Sequence, residues 1–214
     1  MDTAAGKPPN ALIAALKTAI ATYGHKRLEI EFRIGRLVNS KFVPGVTRDA
    51  FAKIQDHLKS LPSTEINTTE TIFRDCKRIY DHDSQTTSVL HKKKIHNTDV
   101  ESAMPPWTVR ASLALEEPGA LEDLGPASSV YERNKRRTRF TSKGWAIDLT
   151  RVASNLPDDL DSDSETYEVE IELLDVDSLY TRTVMEVLHW GLKISNDMVG
   201  FASADASADA SAGA

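Results

Sequence analysis

Apolar and charged residues alternate over long stretches of this chain, and the charged side of each alternation is unusually pure. Leu28-Glu29-Ile30-Glu31-Phe32-Arg33-Ile34 puts Glu29, Glu31 and Arg33 on one face of a strand and large apolar side chains on the other. Glu168-Val169-Glu170-Ile171-Glu172-Leu173 sets a row of carboxylates against a row of apolar residues. Lys135-Arg136-Arg137-Thr138-Arg139-Phe140 gathers Lys135, Arg137 and Arg139 on one side. Lys92 and Lys94 share a face on another strand, and Arg110 sits within Trp107–Glu116. This patterning predicts strands over 27–38, 63–74, 77–81, 88–96, 107–116, 130–141, 145–152 and 166–174, most of them bounded by turn residues or polar loops. Helical spacing predicts a first helix from Pro8-Pro9-Asn10 through Tyr23, with Leu12, Ile13, Leu16 and Ile20 on one side. A second starts at Thr47, carries Phe51, Ile54 and Leu58 and ends before Pro62. A third starts near Ser178, buries Val184, Val187 and Leu188 and stops at Gly191.

Like charges two residues apart on a strand lie roughly 6.5–7 Å from one another and repel, so something must compensate them. One answer is an ordinary solvated sheet face with surface ion pairs, worth roughly 0–1 kcal/mol each. Acidic and basic strands that all keep an apolar side opposite also suit a closed antiparallel β-barrel of eight strands. Its lumen is then charged, and its outside packs against helices. Clustered glutamates favour a hard cation such as Mg²⁺ or Mn²⁺, and lysines and arginines neutralise phosphate oxygens, arginine bidentately. The pattern therefore points to a metal and a polyphosphate held together.

Composition narrows the field. The chain has 214 residues, of which 40% are hydrophobic, enough to bury a core in one domain, expected over 1–201. Residues 202–214, a Ser-Ala-Asp-Ala repeat, have nothing to bury and are expected to be disordered, and the acid- and serine-rich 155–165 reads as a solvated loop. No apolar run approaches the roughly 20 residues of a membrane helix, and Met1-Asp2-Thr3-Ala4 lacks a secretory pattern, so neither membrane nor leader is expected. A net charge of -6 argues against a general DNA-coating protein but says nothing about a local basic pocket. The one cysteine, Cys76, excludes an internal disulfide or a multi-cysteine metal site, and fits a reducing compartment. A cysteine-dependent phosphatase is excluded too, since His82 stands where its arginine belongs. Gly6-Lys7 is no phosphate loop, the histidines lack helical zinc spacing, and Lys92-Lys93-Lys94 reads better as part of a strand than as an import signal.

These residues carry a resemblance to the metal-dependent RNA 5′-triphosphatases of the triphosphate tunnel metalloenzyme family, the mRNA-capping enzymes of fungi, protozoa and some large DNA viruses. It spans about Leu28 to Leu174 and rests on Leu28-Glu29-Ile30-Glu31 with Gly35, on Trp107–Glu116, on Glu132–Arg137, on Trp145–Arg151 and on Tyr167–Glu172. The resemblance implies that Glu29, Glu31 and Glu172 hold one Mg²⁺ or Mn²⁺. It implies that Glu170 and Glu116 bind metal waters, with Glu116 aiming the attacking water, and that Glu168 pairs with a basic neighbour. Arg78, Lys94, Arg110, Lys135, Arg137, Arg139 and Arg151 are expected to bind the substrate's phosphates, with Asp148 among them orienting the cations. Arg74 competes with Arg78 and Lys92 with Lys94. Ala146 stands where the fungal pattern has an arginine, and Arg139 where a serine is common, so Arg139 is the expected replacement. The implied reaction is release of the γ-phosphate from RNA 5′-triphosphate ends, with hydrolysis of nucleoside triphosphates and tripolyphosphate in Mn²⁺. An RNA guanylyltransferase is the implied partner, and the nucleus or a viral factory the implied location. The rival expectations are a tunnel enzyme acting on inorganic tripolyphosphate or an organic triphosphate, and a non-catalytic phosphate-binding module.

Overall fold

A computed structural model describes residues 7–74, 76–102, 104–124, 131–155 and 165–203. The elements follow in the order α1 (Asn10–Tyr23), β1 (Leu28–Val38), β2 (Lys41–Pro44), α2 (Arg48–Leu58), β3 (Ser63–Ile72), β4 (Lys77–Asp81), β5 (Thr86–Glu101), β6 (Thr108–Gly119), β7 (Tyr131–Ser142), β8 (Trp145–Asn155), β9 (Thr166–Leu173), α3 (Ser178–Thr181) and α4 (Val184–Ser203). The strands pair antiparallel in the order β2-β1-β6-β5-β4-β3-β7-β8-β9, and pairing of β9 back onto β1 closes the ring. The result is a closed eight-stranded antiparallel barrel with one extra strand, β2, hairpinned onto β1. The sequence pattern leaves β2 out because it is four residues long and mostly exposed. Its signal is the pair Asn39-Ser40, both at positive φ, which makes the two-residue turn of a right-twisted hairpin. Lys143-Gly144 does the same between β7 and β8.

The apolar faces of β1, β6, β8 and β9 point outward and bury Ile30, Phe32, Ile34, Leu113, Leu149, Val169 and Ile171 beneath the helices. From α1 come Leu12 and Leu16, from α2 Phe51 and Ile54, and from α4 Leu188, Leu192 and Val199. Thr47 starts α2 by accepting a hydrogen bond from the Ala50 N–H at 3.3 Å. The core thus lies outside the barrel, and the polar faces are left to the lumen.

The predicted helix stop at Gly191 is corrected: α4 runs through it to Ser203. A Cβ at Gly191 would lie 2.1 Å from the Phe32 ring, so glycine is there for close approach and not as a terminator. Because Phe32 is fully buried, its ring cannot step aside. Gly191→Ala is expected to lower stability by about 1–2 kcal/mol, the overpacking cost exceeding the gain in helix propensity. Urea denaturation measures it, and a variant as stable as the parent would contradict the packing. Residues 204–214 and 156–164, most of the expected tail and acidic loop, lie outside the described residues.

Candidate active site

Register decides which side chains enter the lumen. Glu31 pairs with Glu172 across β1–β9 and Arg33 with Glu170, so Glu29, Glu31, Arg33, Glu168, Glu170 and Glu172 share the inner face. Through β6 the same face carries Glu116, Ser112 and Arg110. Opposite Glu116 stands Lys92 of β5. Its Nζ lies 3.4 Å from Glu31 and 3.5 Å from Glu116, and it also pairs with Glu29. Arg33 pairs with Glu31. The cation among these carboxylates is therefore Lys92, the competitor of Lys94. Lys94 has the same parity, but one step along the strand it meets Ala114, and with the Asn97 amide turned to match its neighbours, Lys94 Nζ donates to the Asn97 oxygen at 3.1 Å.

The basic wall comes from β7. Arg139 donates to both oxygens of Asp148 at 2.8 and 2.7 Å and reaches Glu172 at 2.6 Å. Arg137 lies 3.1 Å from Asp148 and 3.7 Å from Glu170. Asp148, only 2% exposed, so holds two guanidiniums side by side. Lys135 Nζ meets Glu70 of β3 at 2.9 Å, Lys77 of β4 meets the same carboxylate at 3.4 Å, and Arg133 meets Glu168 at 2.6 Å. The sequence pattern does not single out Glu70, Lys77 or Arg133 as site residues.

Two expected substrate contacts, Arg78 and Arg151, are corrected by parity. Arg78 pairs with Thr71 on the outer face and donates to the Thr71 hydroxyl at 3.1 Å, and the inward residue of that strand is its neighbour Lys77. Arg74, the competitor, is exposed in the turn between β3 and β4. Arg151 also points outward, its guanidinium 6.0 Å from the Phe51 ring centre. Arg110 does face inward, yet Asp99 grips it bidentately at 2.7 and 2.8 Å and the Phe42 ring lies 4.3 Å below it. Arg136 faces outward and is exposed.

Residues 38–187, most of the chain, match the family model described as mRNA capping enzyme, beta chain. The chain belongs to this family. It is 26% identical over 188 residues to the 5′RNA triphosphatase A449R of Paramecium bursaria Chlorella virus 1, covering 86% of this chain and 94% of that protein. The S. pombe Pct1 RNA triphosphatase has the same fold at a TM-score of 0.69 with 14% identity, over 91% of this chain and 92% of that one. The Mimivirus capping enzyme triphosphatase matches at 0.52 with 16% identity, over 84% and 95% respectively.

Within this capping-enzyme β-chain barrel the electrostatics are split. Burial, then the charge of Glu170, pushes the Glu31 carboxyl up to about 7. Burial also raises Glu29 and Glu172 against the pull of Lys92 and Arg139. Glu170 goes the other way: burial is outweighed by Lys135, Arg137 and Arg33, which lower it. Lys92 is raised despite burial, because Glu31 and Glu29 hold its proton. The acidic end is thus short of positive charge: Lys92 is spread over Glu29, Glu31 and Glu116, and Arg33 adds one guanidinium at Glu31.

That shortage is the test of whether a metal fits. Among the described residues no acidic, histidine or cysteine side chains converge into a ready-made metal cage. The donors on β1 and β9 are all carboxylate oxygens, which suit a hard divalent cation, and Lys92 already stands among two of them as an organic cation. Glu29, Glu31 and Glu172 are the residues that would hold such an ion.

Proposed function

We propose that this chain is the RNA 5′-triphosphatase of mRNA capping, removing the γ-phosphate from nascent RNA with the help of Mg²⁺ or Mn²⁺. The reading rests on one observation: a closed lumen whose inner face carries Glu29, Glu31, Glu116 and Glu172 together with Lys135, Arg137 and Arg139, with Arg139 meeting Glu172 at 2.6 Å. An acidic station beside a basic one is what a triphosphate–metal complex needs and an inert surface does not. The bound cation supplies withdrawal of charge from a γ-phosphoryl oxygen. Water attacks γ-phosphorus, the bond to the bridging oxygen breaks, and diphosphate-ended RNA leaves. Glu116 is placed to orient the attacking water. Lys135, Arg137 and Arg139 neutralise charge that grows on the phosphoryl and leaving oxygens, with Asp148 holding the guanidiniums in place.

Arg137→Ala is expected to lower kcat by about 10²–10³, the usual loss for one preorganised donor, and Arg137→Lys to recover only part of it. Arg136→Ala, one residue away and outside, leaves the rate unchanged. Equal losses at 136 and 137 would break the register. The product is the substrate class of an RNA guanylyltransferase, which we take as the partner, with action in the nucleus or a viral factory. Competition decides the substrate: phosphate release from triphosphate-ended RNA should exceed that from thiamine triphosphate at equal concentration, and tripolyphosphate should be hydrolysed in Mn²⁺. Preference for thiamine triphosphate contradicts the reading, and so does absence of hydrolysis with every substrate and metal.

A further inference from the structure

The barrel wall has a notch. Strand β4 begins at Lys77, opposite Leu90, whereas β5 runs on to Glu101, so from His91 onward no strand among the described residues flanks β5 on its β4 side. Phe73, Arg74 and Cys76 line the gap, and the cavity there measures about 480 Å³, within the range of about 300–1,000 Å³ typical of ligand sites. Lys77 and Lys92, which face the lumen, line it together with Phe73, Arg74 and Lys93. Lys77 and Lys92 are also the cations that touch Glu70 and the Glu29–Glu31–Glu116 group, so the notch is continuous with the tunnel.

We propose that this notch receives the leading nucleotides of the RNA whose triphosphate occupies the tunnel. Phe73 stacks on a base, and Arg74 and Lys93 neutralise backbone phosphates. The inference rests on the RNA 5′-triphosphatase reading and adds where the rest of that substrate lies. A half-buried aromatic flanked by exposed cations is the usual arrangement for sequence-tolerant single-strand binding. Inorganic tripolyphosphate, which has no nucleotides, reaches the tunnel without using any of this.

The experiment compares KM for a short triphosphate-ended RNA and for tripolyphosphate in Phe73→Leu, which keeps apolar bulk, and in the double variant Arg74→Ala/Lys93→Ala. The expected result is an RNA KM raised about tenfold in each, with tripolyphosphate kcat and KM unchanged. In the double variant the salt dependence of RNA binding, followed by fluorescence anisotropy, should also become shallower, by about 0.7 in log–log slope for each phosphate that is no longer neutralised. Variants that process RNA with the parental KM overturn the notch assignment. An equal rise of KM for both substrates also overturns it, since the residues then act through the tunnel or the fold. A parent enzyme that cleaves tripolyphosphate but no RNA overturns the functional reading itself.

Discussion

Glu31→Ala is expected to abolish phosphate release while leaving the barrel folded. Glu31 sits between Glu29 on its own strand and Glu172 across the β1–β9 pairing, within reach of Lys92 and Arg33. Its carboxyl is pushed up to about 7 by burial and by Glu170, so its charge is a burden on the folded chain. Removing it relieves repulsion, and the melting temperature should stay level or rise. Activity moves the opposite way, because one of the carboxylates that would hold the cation is gone. The rate should fall by more than about a thousandfold, ~4 kcal/mol in the barrier. Glu29→Ala and Glu172→Ala are expected to behave alike. Single-turnover assays beside thermal melts separate the outcomes, and a variant keeping a tenth of the parental rate would remove that residue from the set of metal-holding carboxylates.

Glu70→Ala should instead strike the fold. Glu70 is 5% exposed and Lys135 7%, so truncating the carboxylate strands a buried ammonium. Breaking a buried pair in this way costs about 3–5 kcal/mol. The loss of turnover follows, since Lys135 is then free to leave the place proposed for it beside the phosphate. Glu70→Leu combined with Lys135→Met should regain most of the stability and none of the activity, because an apolar pair of similar volume replaces the buried ions. Acid titration gives an independent check. Burial opposes ionisation of Glu70, but Lys135 and Lys77 hold its carboxyl down at about 2, below the ordinary 4.5. A depressed value means that the contribution is complete above about pH 4.5 and vanishes as pH falls towards 2. The stability gap between parent and Glu70→Ala should close over that interval, and a gap independent of pH would show that the pair is not ionic.

Strands whose outer side is covered by helices are readable from the chain. In β1 and β9 every second residue is buried under α1, α2 or α4, so Ile30, Phe32, Val169 and Ile171 mark the parity of Glu29, Glu31, Glu170 and Glu172. Where no helix covers the wall, this marker is lost. In β3 the run Thr68-Thr69-Glu70-Thr71 is polar on both sides, and nothing local distinguishes Glu70 from Glu65. In β4 the adjacent pair Lys77-Arg78 offers a cation to each face, and only pairing with Ile72 and Leu90 turns Lys77 inward. Lys92 and Lys94 share a face, so choosing between them needs the height of Glu116, which follows from the long β5–β6 register and the irregularity after Lys94. Gly191 misleads for a different reason, since the ring of a residue far away in sequence requires it.

The most direct test of a charged tunnel that takes the terminal phosphate from RNA is an end-group analysis. RNA labelled separately at the β- and γ-phosphates is incubated with the enzyme, with and without Mg²⁺ or Mn²⁺, and the products are resolved. Orthophosphate is expected from the γ-label and retention of the β-label on diphosphate-ended RNA, with no release in chelator. Release of pyrophosphate, loss of the β-label, or undiminished turnover in chelator would contradict it.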